Sequence, residues 1–495
     1  MSLPAMIRPM LYFQANGAGP GKGHYWGAGV GWWLWGLAAL PLAPVLVLGF
    51  FNDDFAFMDY WDATASAGLL AKVHPPGFEF FRPAGLLLQR VQYALFGMRP
   101  IWFHATSLVL LLLASALAGA AVALLAGRPA AGWAAAASCL YPARFEAVAW
   151  AAAVPDLLAL AAVSASLLLL ALPPEPLRLR RLVALFTLAF MAPLAKESAL
   201  ALPVVAVAWE ALALLPPARP RTRVARIAAV VLGALAAVAL RTAVLGGVGG
   251  YRHVSPLAWT RDLWAIPRHL FFVVFDPVNP TFGMASIVLG AACGLAAAAW
   301  LVSAVRQQRW RLLFGGLAAT IAGLLPPLAY LDKTSPVLFH NRFLTIAGLG
   351  VVVLLSAGYS HSKRCRAALG SLLLAAWGGG MLLNLTAWFE ASARRDVIMS
   401  TIEQATRESG RHVVWFGGRT EDYYRGTRMA GHLPAAVRRL LPGRAIIIDS
   451  EHIQSEEGRP IGPPSSVEGA LVHAFRFDPL TGTTSSATDT SPVLK

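Results

Sequence analysis

The feature that most restricts this chain is a succession of apolar runs, each near the length that crosses a bilayer, separated by short basic clusters. The runs lie at residues 32–51, 101–126, 131–172, 182–215, 227–246, 284–305, 312–331, 343–359 and 367–388. An α-helix rises 1.5 Å per residue, so roughly 20 apolar residues cross the hydrocarbon layer. With 57% hydrophobic and 14% charged residues and a mean hydropathy of +0.58, the composition is that of a multi-pass membrane protein. A net charge of +15 would suit nucleic acid if the basic residues formed a stripe. They fall instead in clusters between the runs, which marks the cytoplasmic turns and excludes a nucleic-acid partner.

The clusters are Arg128, Arg178/Arg180/Arg181, Arg219/Arg221/Arg223/Arg226, Arg306/Arg309/Arg311 and Lys363/Arg364/Arg366. Each interval between clusters crosses the membrane an even number of times. Residues 131–172 therefore hold two spans that turn at YPARFE (141–146), and residues 182–215 turn at LAKES (194–198). The expected fold is an all-α polytopic bundle of about eleven transmembrane helices, with the N-terminal segment 1–31 cytoplasmic and the C-terminus outside. The first run lacks a clean cleavage site and reads as a retained span. Cys139, Cys293 and Cys365 show neither metal-ligand nor disulfide spacing.

The opposite face collects the long loops 52–100, 247–283 and 331–342 and the charges that break the positive-inside trend: Asp53, Asp54, Arg82, Arg144, Glu146, Lys196, Glu197 and Arg342. The chain has only six lysines, so Lys196 beside Glu197 in a two-span turn is unexpected on composition. After the membrane domain (32–390) the composition becomes that of a small external α/β domain (391–480). Strands are expected at 411–416, 444–449 and 470–477, with helices at 394–409 and 421–441. A Ser/Thr-rich tail (481–495) reads as disordered.

Asp53 and Asp54 end the first run. Carboxylates at a membrane surface are by default a functional-site hypothesis. One of them suits a general base toward an acceptor hydroxyl or amine, with cations on the same face stabilising charge on a departing phosphate. The same pair also suits a helix cap facing water. Arg82 before Pro83 equally suits a loop anchor at the lipid headgroups, and His104 a packed interfacial histidine. Asp156 lies ~15 Å along a continuous helix from Glu146, too deep for the same site unless that helix is broken; it reads as a structural partner for backbone freed by Pro155. His253, Arg268 and His269 read as interfacial anchors.

The motifs NDDFAF (52–57), FRPAGLLLQ (81–89), FGMRPIWFH (96–104), YPARFEAVAW (141–150), PDLLA (155–159), LAKESALALP (194–203) and HNRFLTIAGLG (340–350) together resemble the GT-C glycosyltransferases, nearest the protein O-mannosyltransferase-like, TPR-associated branch. That resemblance covers about the first 360 residues. It implies a polyprenyl-phosphate-linked sugar donor, Asp53 or Asp54 as catalytic base, and inversion at the anomeric carbon. It places Glu146, Lys196 and Glu197 in the cavity and Arg342 where it could meet the lipid phosphate; Arg82, His104 and Arg144 are the further substrate-site candidates on the same face. The acceptor it implies is a protein, lipid or polysaccharide of the cell envelope; it assigns no metal ligands and leaves room for a divalent cation. The Ala/Arg-heavy composition points to the inner membrane of a bacterial cell, with the C-terminal domain periplasmic; an endoplasmic reticulum membrane is the alternative. Departures from the family are Tyr141 and Arg144 where histidine is common, Val154 where arginine is common, and the absence of a following TPR array. An alternative from another class is a transporter or flippase of lipid-linked substrates, which predicts inverted repeats and mid-membrane charges.

Overall fold

The computed structural model describes residues 27–51, 53–75, 80–173, 178–247, 282–328, 341–358 and 364–407, followed by the segments 411–417, 423–424, 427–428, 433–441, 445–450, 471–478 and 483–486. Asn52, most of the N-terminal segment, His253, Arg268, His269 and most of the loops expected at 247–283 and 331–342 lie outside the described residues.

Helix α1 (Gly27–Ala38) passes into a 3₁₀ stretch (Leu40–Val47). Pro41 and Pro44 cause the change, since each lacks the N–H that an α-helical turn needs. The 3₁₀ stretch rises faster per residue, so the two pieces together span roughly 34 Å. The chain then turns into α2 (Asp53–Ala63) and α3 (Leu69–Val73), and α4 (Pro83–Phe96) leads to the long α5 (Pro100–Ala126). Helix α6 (Ala130–Leu140) is buried along all eleven residues. It lies against α5 where a Cβ on Gly119 would come within 2.6 Å of the Ala131 carbonyl oxygen, the small-residue contact typical of membrane helices.

After α6 the helix breaks, at the expected YPARFE segment. A 3₁₀ turn (Pro142–Arg144), the short α7 (Phe145–Ala149), an extended Trp150 and a second 3₁₀ turn (Ala151–Ala153) precede α8 (Val154–Ala171). Residues 145–156 are therefore not one helix, and the 15 Å separation expected for Glu146 and Asp156 does not apply. The next pair, α9 (Leu179–Ala195) and α10 (Ala201–Ala211), breaks at LAKES. Lys196 is extended there (φ −155°, ψ 135°), and Glu197–Leu200 forms a 3₁₀ turn. Helices α11 (Pro220–Leu245), α12 (Met284–Arg306), α13 (Trp310–Leu324), α14 (Ala347–Ser356) and α15 (Arg364–Ala405) complete the bundle.

Among the described residues five helices are long and apolar enough to cross a membrane, at Pro100–Ala126, Ala151–Ala171, Pro220–Leu245, Met284–Arg306 and Ala368–Ala405. Shorter apolar helices at Trp32–Val47, Ala130–Leu140, Trp310–Leu324 and Ala347–Ser356 pack among them. The chain is a multi-pass membrane protein. A span at 367–388 and a separate helix at 394–409 were expected; they are one 42-residue helix, α15. At ~63 Å it is about twice the thickness of the hydrocarbon layer.

Beyond α15, strands β1 (Arg411–Gly417), β2 (Tyr423–Tyr424) and β3 (Thr427–Arg428) precede α16 (Leu433–Leu440), then β4 (Ala445–Ser450), β5 (Leu471–Asp478) and β6 (Thr483–Ser486). The sheet order is β4-β1-β5-β6, with β1 parallel to both neighbours and β6 antiparallel to β5. Residues 483–486, expected in a disordered tail, are a sheet strand, because the threonine-rich segment supplies the edge partner β5 lacks.

Candidate active site

Asp54 occupies the first turn of α2 and is 3% exposed. Its Oδ2 accepts a hydrogen bond from the Phe51 N–H at 2.7 Å, three residues back. That contact is the reaching-back half of a capping box. Its Oδ1 accepts from the Ala152 N–H at 2.6 Å, in the broken segment between α7 and α8. The cap reading of the sequence is therefore met by Asp54, but facing inward. Burial pushes the Asp54 carboxyl up to about 8, against the Phe51 and Ala152 N–H groups and the positive charge of Arg395, which pull it down. A carboxyl titrating near neutrality suits a general base. Asp53, its neighbour in the same turn, is only half-buried.

Arg395 comes from α15. It donates to the Phe50 carbonyl, lies 5.4 Å from the Phe51 ring centroid, and contacts Ser392 Oγ (3.0 Å) and Asp396. The continuity of α15 beyond the expected span brings this cation to the Asp54 loop.

A second group of charges is built on the same broken segment. Glu146, in α7, accepts from the Arg342 backbone N–H at 3.1 Å and is ion-paired with the Arg342 guanidinium, which lies 4.3 Å over the Trp150 ring. Asp156, in the first turn of α8, pairs with Lys196 Nζ at 3.0 Å, and both are buried. Glu197 takes Arg82 and Arg241, each at 3.0 Å. Close packing holds the frame, since a Cβ on Gly85 of α4 would come within 2.7 Å of Pro155 and 3.2 Å of the Ala195 carbonyl oxygen. Ala152, which binds Asp54, is four residues from Asp156 along the same segment.

The electrostatics follow from burial and mutual proximity. Burial lifts the Glu146 carboxyl above its ordinary value, with Arg342 opposing. Burial and the neighbouring Arg82 lower Lys196 to about 8, with Asp156 opposing. Burial would raise Glu197, but Arg82, Lys196 and Arg241 overcome it and hold that carboxyl at about 2. Glu146, Asp156 and Glu197 thus face Arg82, Lys196, Arg241 and Arg342, with one cation in excess.

The structure brings together Arg82, Glu146, Lys196, Glu197 and Arg342 of the residues singled out in the sequence. It sets two others apart. Arg144 is fully buried, bonded to Ser138 and to the Thr345 carbonyl (3.3 Å), with Tyr141 beside it. His104, also fully buried, lies between the carbonyls of Gly49 (3.3 Å) and Val148 (3.5 Å). Both contact backbone and stand outside the ion-pair cluster. Asp156, Arg241, Arg395 and Gln89 were not expected at the site. Gln89 Nε2 donates to the Ala152 carbonyl at 2.9 Å, so Ala152 is held on one side by Asp54 and on the other by Gln89. Arg241 carried a sequence signal, a lone arginine near the C-terminal end of the apolar run 227–246. Among the described residues no group of three or more His, Cys, Asp or Glu side chains is placed to hold a metal ion.

No family model and no curated protein matches this chain. Solved structures that resemble it include two from one archaeon. One is a crystal structure of the oligosaccharyltransferase of Archaeoglobus fulgidus in complex with Zn and sulfate, with a TM-score of 0.42 and 14% identity over 84% of this chain and 62% of that one. The other is the archaeal oligosaccharyltransferase AglB of the same organism, with an inhibitory peptide and a dolichol-phosphate; the TM-score is 0.40 and the identity 15% over 86% of this chain and 64% of that one. The chain thus spans less than two thirds of the length of either structure.

Proposed function

We propose that the protein is an integral-membrane glycosyltransferase of GT-C type that moves a sugar from a polyprenyl-phosphate carrier to an acceptor on the external, periplasmic face of a bacterial inner membrane. The observation that carries this is the shared frame. A buried carboxyl poised near neutrality, Asp54, and the ion pairs Glu146–Arg342 and Asp156–Lys196 are fastened to one broken segment, residues 145–156, and Glu197, next to Lys196, adds Arg82 and Arg241.

In this mechanism Asp54 takes the proton of the acceptor as its oxygen or nitrogen forms the bond to the anomeric carbon. The bond from that carbon to the phosphate oxygen breaks, and its electron pair leaves on the phosphate, with inversion. Arg342 and Arg82 are partly accessible and hold or neutralise the phosphate. Lys196 and Asp156 are too enclosed to touch it and position the cations around them. The supported base is Asp54, which is buried and whose two oxygens are held by the Phe51 and Ala152 backbone N–H groups at the site. The test is mass spectrometry of envelope glycans and glycoproteins from cells with and without the protein. Loss of one defined glycan is expected on deletion, and an unchanged glycan profile alongside altered export of lipid-linked sugar would favour transport instead.

A further inference from the structure

The end of the bundle away from the ion-pair cluster carries a second concentration of charge, where α8, α9 and α11 meet. Arg181, in the first turn of α9, donates to the carbonyls of Leu169, Leu172 (2.8 Å) and Pro173 (2.5 Å) at the C-terminal end of α8. Arg226, near the start of α11, donates to the Leu170 carbonyl of the same end at 3.4 Å. At the opposite end Arg241 of α11 meets Glu197, which follows α9 directly. Helices α9 and α11 therefore run parallel, and their first turns lie together. From Arg226 to Arg241 is ~22 Å of helical rise, so the candidate active site is most of a bilayer away.

Close packing unites two arginine clusters that are far apart in sequence. A Cβ on Gly233 of α11 would come within 2.5 Å of the Phe186 carbonyl oxygen and 3.1 Å of Ala189 on α9. Segments 173–181 and 210–226 hold seven arginines against two carboxylates, Glu175 and Glu210, an excess of five positive charges; Glu175 lies outside the described residues. Glu210 is bound by Arg223 (3.2 Å) and Arg226 (3.1 Å). The bonds that Arg181 makes are to carbonyls, which carry no net charge to balance it. Arg178, Arg180, Arg219, Arg221 and Arg223 are exposed. Neither helix has an acid in its first turn, where the backbone N–H groups favour one. Positive-inside placement accounts for cations at each turn but not for merging two clusters, which repel one another unless an anion from outside the chain lies between them.

The surface next to the arginines selects the class of anion. Leu179, Val183 and Phe186 are exposed and recur at helical spacing, an apolar strip that starts among the arginines and runs along α9. Val224 of α11 is exposed beside Arg223. A soluble phosphate uses the arginines and leaves the strip bare. A phospholipid places its phosphate among the arginines and its chains along the strip. We infer that α8, α9 and α11 form a binding site for an anionic glycerophospholipid, its headgroup between the arginines of α9 and α11 and an acyl chain along Leu179, Val183 and Phe186. The bound lipid neutralises the patch and ties the two first turns together on the face that the positive-inside rule makes cytoplasmic.

The test is native mass spectrometry of the full-length protein in detergent, titrated with dioleoyl phosphatidylglycerol, dioleoyl phosphatidylcholine and inorganic phosphate at constant ionic strength. The first phosphatidylglycerol should bind at least ~10-fold more tightly than the first phosphatidylcholine, and phosphate at the same concentration should not displace it. The double variant Arg178→Gln/Arg221→Gln removes two exposed charges and should lower phosphatidylglycerol affinity by ~10-fold or more. The pair Arg309→Gln/Arg311→Gln takes the same charge from the turn between α12 and α13 and should leave it unchanged. Should the first double variant fail to insert, Leu179→Glu keeps every arginine, sets a carboxylate at an exposed position of the strip, and should cost the same preference. Equal affinity for the two lipids overturns the inference. So does an equal loss in the Arg309/Arg311 pair, which marks a diffuse charge effect, or displacement by phosphate, which marks a site for a soluble anion. The measurement uses no sugar-transfer activity, so its outcome is independent of the glycosyl-transfer reading.

Discussion

The pair Lys196–Asp156 offers a quantitative test of the frame. The two side chains are 4% and 2% exposed, their contact is 3.0 Å, and the second Asp156 oxygen has no protein partner. Lys196→Met leaves a buried carboxylate with its one bonded cation gone, which costs ~3–5 kcal/mol; replacing both members together is nearly neutral. Lys196→Met and Asp156→Asn should each lower the unfolding temperature by ~6–20 °C, taking ~2–4 °C per kcal/mol. The double variant should recover most of that, so the coupling approaches the sum of the two single losses and exceeds ~3 kcal/mol. The readout is thermal unfolding in detergent followed by a thiol-reactive dye, because Cys139 and Cys293 are free and buried. A Cys365→Ser background confines the signal to those two. The coupling should also shrink above pH 8, where Lys196, lowered to about 8, loses its proton. Additive single effects, or a coupling unchanged between pH 7 and 9.5, would refute the buried ion pair.

Gly85→Val should destabilise by ~1–3 kcal/mol in the same dye assay, because its side chain meets Pro155 and the Ala195 carbonyl. The Asp54 carboxyl is raised from 3.8 to about 8 in the fold, so its contribution to stability is complete below pH 4 and lost as pH rises through 8. Relative to Asp54→Asn, wild type should therefore weaken across that interval and stay level above it. Glu197 is depressed to about 2, so its contribution is present above pH 4.5 and disappears as pH falls through 2; Arg82→Ala should move that loss to higher pH, read from acid unfolding curves. Arg439 of α16 pairs with Asp59 (2.7 Å) and Asp62 (2.6 Å) on α2. Arg439→Glu should loosen that contact and speed limited proteolysis after α15.

The multi-pass character was legible because bilayer thickness acts on the length of apolar runs directly. The breaks at YPARFE and LAKES announced themselves as polar interruptions, and five of the charges expected to share one face do converge. What escaped has physical causes. The helix break between Glu146 and Asp156 depends on how residues 150–153 pack, so a helical ruler placed Asp156 too far from the site. Arg395 was read as part of a separate soluble helix, since nothing local shows that α15 runs on without interruption. Gln89 sat inside a motif but carries no charge to mark it; its role comes from one carbonyl, that of Ala152. Arg144 and His104 were singled out because charge and imidazole at a surface suggest chemistry, whereas the fold uses both to bind backbone carbonyls. Residues 483–486 became a strand through pairing with β5, a partner more than four residues away that composition does not reveal.

The most direct measurement is complementation of a deletion strain with single carboxyl variants, matched for the amount of protein inserted in the membrane, with the dependent glycan quantified by mass spectrometry. Asp54→Asn should give no glycan while Asp53→Asn restores it. Normal glycan from Asp54→Asn would contradict the assignment of Asp54 as the base and, with it, the mechanism built on the segment it is fastened to.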